Sequence, residues 1–210
     1  METGPDFHEE HVLNDGTAVS LRHVRPEDAA ELRRGLERLS PESRYRRFLG
    51  AVTTLTDEHL RYLTCVDGHD HVAIVAVART PAPEGDTGLG IARFVRLQDE
   101  PTVAEAAITV IDDAQGKGLG RLLALTLARA AYERGVRRFR GRILADNTAV
   151  RQLLADVGAV VSKPENGGMV FDVELTPTPF TPGSRLDVIA RRVLRAAAHT
   201  TGLFERRGLG

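Results

Sequence analysis

Apolar residues fall at Ala29, Leu32, Leu36 and Leu39 within RPEDAAELRRGLERL (25–39), three or four positions apart, and this spacing predicts a helix with one buried face. The stretch before it, TAVSLRHV (17–24), carries strand-forming residues and predicts a strand. Ser40 and Thr56 stand as N-caps ahead of two short helices, PESRYRRFL and DEHLRYL, the first with Pro41 where a missing N–H is harmless. HVAIVAVART (71–80) and GLGIARFVRL (88–97) predict two strands joined through the turn-rich PAPEGDTG, and TVAEAAITVI (102–111) predicts a third nearby. A helix follows over about 118–134, with apolar residues at 119, 122, 123, 127 and 130, then a strand at RRFRGRIL (137–144). Asn147–Val157 predicts another helix, and AVVSKPENGGMVFDVEL closes as a hairpin about ENGG. The order implies an α/β (α+β) domain over residues 15–175, a mixed, largely antiparallel sheet flanked by helices with at least one βαβ crossover. TPTPFTPG (176–183) marks a linker opening a C-terminal extension, 176–210. There SRLDVIARRVLRAAA has an apolar stripe at 186, 189, 190, 193 and 197, a helix expected to pack on the core, join two copies as a homodimer or touch an anionic membrane.

Composition narrows the function. A formal charge of −1 argues against a nucleic-acid binder, which carries a basic excess to neutralise phosphates. Cys65 is the single cysteine, so no disulfide forms within the chain; it lies away from the glycine-rich stretch and is not read as a nucleophile. No apolar run approaches the roughly 20 residues that span a bilayer, no targeting segment is evident, and a cytoplasmic setting is expected. HEEH (8–11) and HDH (69–71) lack a partner cluster of metal-ligand spacing, so they read as solvated histidines in loops and no metal is expected.

Chemistry concentrates in DDAQGKGLGRLL (112–123), where Gly116, Gly118 and Gly120 stand at the start of the helix near residue 118. Side chains there would separate the helix's free N–H groups from a ligand, whereas glycines let an anion reach the amides and the positive end of the helix dipole. A tight turn that needs glycine only for its backbone is the plainer alternative. Walker A spacing fails because Lys117 is followed by Gly118 and not by a hydroxyl residue, and the dinucleotide fingerprint fails because the third glycine comes too early. On the strand before this loop, alternation places Glu105, Ala107, Thr109 and Ile111 on one face, so a carboxylate looks out of a small, mostly apolar surface. A cross-strand ion pair with Arg93 or Arg96 on a solvated face is the competing reading.

Gln115, Gly118 and Gly120 meet the pattern Gln/Arg-x-x-Gly-x-Gly/Ala, and NTAVRQLLADVGA adds an asparagine-opened, glycine-closed helix from Asn147 to Gly158. With both in order, the chain resembles the GNAT superfamily of N-acetyltransferases over about residues 15–175. LSPESRYRRF, TLTDEHLRYLT and AEAAITVIDDAQGKGLG are similar to the acetyltransferase domain of bacterial Pat-type protein lysine acetyltransferases. The resemblance implies a GNAT-like sheet and acetyl-CoA as co-substrate. It implies pantetheine pairing along the strand that ends in Val110 and Ile111, and pyrophosphate binding by Asp112, Gln115, Gly116, Lys117, Gly118, Leu119, Gly120 and Arg121, with Asn147 contributing later. It further implies that Glu105, in the "AE" ahead of the loop, is the general base for an amine acceptor, with transfer direct and no covalent enzyme intermediate. Many members carry a tyrosine acid where this chain has Leu154, which leaves solvent to protonate a thiolate of pKa about 8.5. The Pat-like segments favour a protein lysine as acceptor. A small amine is the alternative, as is a catalytically silent acyl-CoA-binding module. Arg33, Arg34, Arg38, Arg44, Arg46 and Arg47 crowd the first helices, either to meet an acidic partner or as a solvated surface.

Overall fold

The computed structural model describes residues 3–48, 54–78, 86–144, 160–161 and 168–175. The β-branched runs form β2 (Ala18–His23), β3 (His71–Ala78), β4 (Thr87–Arg96) and β5 (Val103–Val110), while β6 (Arg138–Leu144), β7 (Val160–Val161) and β8 (Gly168–Glu174) follow the last helix. An additional strand, β1 (His8–Val12), corrects the expectation that HEEH is a loop. Its exposure alternates along HEEHV, and the apolar anchors Phe7 and Leu13 flanking it are buried, so a polar strand is held at the sheet's edge. HDH divides, with His69 and Asp70 outside any strand and His71 opening β3.

Among the described residues the helices are α1 (Ala29–Glu37), α2 (Pro41–Phe48), α3 (Asp57–Thr64) and α4 (Leu119–Glu133). The helix expected over 25–39 begins as a 3-10 turn, Pro26–Asp28, because Asp28 Oδ2 takes the Arg25 N–H at 2.8 Å and Pro26 has none to offer. Both proposed caps are present: Ser40 Oγ accepts from Ser43 N at 3.1 Å, and Thr56 Oγ1 accepts from His59 N at 3.2 Å. The helix expected from Asn147, the ENGG turn, the 176–183 linker and the C-terminal helix lie outside the described residues.

Among the described residues, eight strands form one sheet in the order β1-β2-β3-β4-β5-β6-β8-β7. Every neighbouring pair is antiparallel except β5 and β6, which α4 joins as a parallel crossover. Alternate strand residues feed two cores. On one face Leu119, Leu123 and Leu127 of α4 pack on Val72, Ile74, Phe94 and Ala104. On the other, Ala73, Val75 and Val77 lie beneath α1 and α3, where Leu36, Leu60 and Leu63 of these helices form a cluster with Leu39, just past α1. Each fully buried leucine contributes about 1.5–3 kcal/mol, so the two helical layers are held by burial more than by helix propensity.

The parallel ladder is short. It runs only from Val103↔Arg138 to Glu105↔Arg140, after which Gly141–Leu144 pair with β8 alone. Gly141 sits at that parting, where a Cβ would strike the Phe171 ring of β8. Two parallel strands thus separate immediately past Glu105, and the β6-facing edge of β5 is open from Ala106 to Val110.

Candidate active site

The loop from β5 to α4 has a specific shape. A 3-10 turn, Asp112–Ala114, follows Ile111; Gly116 and Gly118 then take left-handed backbone at φ 75° and 90°, which a side chain disfavours. Gly118 is the residue that opens α4, and no side chain caps the helix there. The first turn holds no acidic residue, so the positive end of the α4 dipole is left without an internal counter-charge. Gly120 lies within the helix itself.

The loop is braced from two sides. Asn14 donates its backbone N–H to Lys117 O at 3.1 Å, and Lys117 Nζ pairs with Asp15 Oδ2 at 2.9 Å, so the β1–β2 turn carries the glycine loop. The Lys117 hydrogen bond, aided by Thr17, holds the Asp15 carboxyl down at about 2. Asp112 braces the other side, accepting from Ser40 N at 3.0 Å, Ser43 Oγ at 2.8 Å and Gln115 Nε2 at 3.0 Å. Burial opposes its charge, but the hydrogen bonds from Ser43 and Ser40 prevail and keep its carboxyl below the ordinary value. Gln115 Nε2 also donates to Val110 O at 3.1 Å, tying the loop back to β5. The sequence pattern does not single out Asn14, Asp15, Ser40 or Ser43 for the site; the turn signal in Asn14-Asp15-Gly16 is the available clue to the first pair.

The side chains expected around a cofactor therefore divide. Leu119 is 1% exposed and Ile111 is buried, so toward a ligand they offer backbone only. The Asp112 and Gln115 side chains shape the loop, and Lys117 and Arg121 bring positive charge to it. Asn147 lies outside the described residues, as do Leu154 and Gly158.

Glu105 is partly buried on the α1/α3 side of β5, at the last rung before the strands part. Among the described residues its carboxylate has no hydrogen bond or ion pair. The competing reading fails on both arginines: Arg96 pairs with Asp70 at 2.7 Å, and Arg93 is buried with Nη2 on Leu63 O at 2.8 Å. Arg140, its register partner on β6, is occupied by Asp172 at 2.9 Å and Glu100 at 2.5 Å. Of the tyrosines, Tyr62 lies against Arg93, and Tyr132 lies under Arg137 at the far end of α4 from the glycines; the Tyr45 side chain is outside the described residues. Cys65 is exposed at the end of α3, off the glycine loop. Among the described residues no cluster of His, Cys, Asp or Glu is arranged to hold a metal ion, and no helix is long and apolar enough to cross a membrane.

A largely antiparallel sheet, one parallel pair that splays, and a glycine-opened helix beside the splay define an acetyltransferase of the GNAT class. Residues 19–160 match the family described as Acetyltransferase (GNAT) domain, and the chain belongs to it. Acetyl-CoA is the co-substrate of that family and acetyl transfer to an amine its reaction. The chain is similar to Acetyltransferase Pat of Mycolicibacterium smegmatis, 37% identical over 192 residues, which cover 89% of this chain and 56% of that protein. It thus spans little more than half of that relative's length. It is also similar to Acetyltransferase PA5475 of Pseudomonas aeruginosa, 33% identical over 148 residues, 70% of this chain and 78% of that protein. The GNAT domain of S. lividans PAT superposes with a TM-score of 0.68 at 28% identity, covering 80% of this chain and 97% of that domain.

Proposed function

We propose that this chain acetylates the side-chain amine of a protein lysine, with Glu105 as general base. The observation that carries the reading is the position of Glu105: a partly buried carboxylate, unpaired among the described residues, where β5 leaves β6, on the strand that runs directly into the glycine loop. An acceptor ammonium with a pKa near 10.4 attacks only after losing a proton, and a carboxylate with no competing partner is free to take it, directly or through water. Bound acetyl-CoA supplies the acetyl thioester.

The loop residues fit the pyrophosphate of that co-substrate. The N–H groups at the start of α4 are left open by Gly118, and the charges of Lys117 and Arg121 suit two phosphates. The open β5 edge, Ala106 to Val110, offers backbone groups for the amides of the pantetheine arm. A co-substrate held by both would have its thioester end near the parting of the strands, on the strand that carries Glu105. We assign the transferase domain to residues 15–175, to which β1 adds an edge strand, and treat 176–210 as an appendage; a cytoplasmic setting, where acetyl-CoA and reduced thiols coexist, suits it.

Two relatives with Pat in their printed names favour a protein acceptor, and so does the surface charge. Asp28 and Glu31 are paired with Arg22 and Arg34, which leaves the arginine-rich stretch from Arg33 to Arg47 short of the convergent carboxylates a polyamine needs. Incubating the full chain with isotope-labelled acetyl-CoA and a cell lysate tests this. Site-selective labelling of folded proteins, lost on Lys→Arg at the acceptor, is expected. Steady turnover of small amines with no protein labelled above the non-enzymatic background contradicts it.

A further inference from the structure

Leu39 and Ile111 line the cleft between α1, α3 and the sheet, on the face of β5 that carries Glu105 and Thr109. The residues that follow them, Ser40 and Asp112, meet across the end of that cleft, with Asp112 Oδ2 accepting from Ser40 N at 3.0 Å. Asp112 Oδ1 accepts from Ser43 Oγ at 2.8 Å and from Gln115 Nε2 at 3.0 Å. One carboxylate therefore holds the glycine loop on one side and the first turn of α2 on the other, and bonds to an ionised acceptor are the stronger kind.

Polar groups hold the first turn of α2. Pro41 and Glu42 are exposed, and none of residues 41–44 belongs to a buried apolar cluster. Arg44 donates from Nε to Leu39 O at 2.9 Å and from Nη2 to Glu37 O at 3.2 Å, which ties the turn back to the end of α1, whereas Ser40 N and Ser43 Oγ tie it to the loop. The loop depends on such ties as well, because Gly116 and Gly118 leave its backbone free to turn elsewhere. A ligand on the N–H groups that open α4 binds the loop in the shape that carries Asp112 to α2, and so favours the tied arrangement at both ends. By the same linkage a tied α2 favours the filled loop.

We propose, on the assignment of the glycine loop to the pyrophosphate, that Asp112 is a positioning residue through which the bound co-substrate steadies the acceptor side. A pyrophosphate in the loop fixes Asp112, and Asp112 fixes the start of α2 beside the cleft that leads to Glu105.

Hydrogen exchange of the full chain, followed by mass spectrometry with and without saturating CoA, reads this at residues 40–48 and needs no acceptor. CoA is expected to slow exchange there at least about fivefold, the low end of coupling between sites. Ser43→Ala cuts one tie to α2 and leaves Gln115 on Asp112. With CoA bound, this variant is expected to exchange on the order of tenfold faster than the unaltered chain at these residues, the loss of one bond to a charged acceptor, and to differ by less without CoA. Ser43→Thr keeps the hydroxyl and is expected to restore the slowing, while exchange of α3 stays the same in all three proteins. Unchanged exchange at 40–48 on saturation with CoA, an equal effect of Ser43→Ala with and without CoA, no rescue by Ser43→Thr, or faster exchange of α3 alongside α2 overturns the proposal. Calorimetric titration with CoA separates it from the assignment beneath it: saturable binding with no change at α2 removes the coupling alone, and no saturable binding removes the pyrophosphate assignment and the coupling with it.

Discussion

Replacing Gly118 by alanine adds one methyl group to the cradle, with separate consequences for stability and for binding. Gly118 has φ 90°, and its added Cβ would lie 3.1 Å from Asn14 Nδ2. Left-handed backbone costs a non-glycine residue about 1–2 kcal/mol, offset by about 0.4–1 kcal/mol because alanine restricts the unfolded chain. A net loss of about 1 kcal/mol lowers the melting temperature by about 2–4 °C for a chain of this size. Asn14 cannot withdraw its backbone, which is bonded to Lys117 O, so its side chain must rotate away. Binding suffers separately, because the methyl group stands among the N–H groups that open α4. A rise of about tenfold or more in the CoA dissociation constant is expected, equivalent to about 1.4 kcal/mol per decade. Gly116→Ala is the control: φ is 75° but a Cβ there meets nothing within 4 Å, so it shares the strain without the contact. Calorimetric titration with CoA and thermal unfolding with and without it separate the two effects, since weaker binding also shrinks the stabilisation by ligand. Gly118→Ala with the affinity of the unaltered chain would refute the assignment of this loop to the pyrophosphate.

Gly90→Ala tests the packing of β4 against β5: a Cβ would lie 2.8 Å from the Thr109 carbonyl oxygen and 3.1 Å from Leu123, and backbone cannot yield. A loss of about 1–3 kcal/mol by urea unfolding is expected, and an unchanged midpoint would contradict the pairing of Gly90 with Val110. Acid should weaken the fold in a defined window. Burial of Asp67 opposes its charge, but the N–H groups of His71, His69 and Asp70 outweigh it and hold its carboxyl below 3.8; at Asp28, Arg22 and Arg25 do the same. A depressed folded pKa stabilises above the unfolded value, and that stability is lost as pH falls through the folded one. Stability should hold from neutral to roughly pH 5 and fall between about pH 4 and pH 2. Asp67→Asn should narrow the gap between urea midpoints at about pH 7 and about pH 3, and an equal gap in the variant would contradict this.

What the sequence revealed followed local physics. The glycines of 112–123 and the alternation from Glu105 to Ile111 are properties of adjacent residues, so the loop, the open helix start and the face of Glu105 were legible before any contact was known. β1 was not, because HEEHV has almost no apolar signal and is a strand only through its ladder to β2. The brace from Asn14, Asp15 and Ser43 joins segments far apart in sequence, and a linear pattern does not encode such pairing. Arg93 presents a sharper case. Within GLGIARFVRL it looks like an ordinary strand arginine able to face Glu105, and only the placement of α3 and Tyr62 over β4 shows that it is buried instead.

The central claim is that Glu105 removes the acceptor's proton. Glu105→Gln keeps the shape and the place on β5 but cannot accept that proton at useful strength, so it separates chemistry from binding. The decisive measurement is kcat for a labelled acceptor alongside the acetyl-CoA dissociation constant, for this variant and the unaltered chain at neutral pH. The account predicts kcat reduced on the order of 10²-fold or more with cofactor affinity within about twofold. An unchanged kcat, or an equal loss in both quantities, would contradict it.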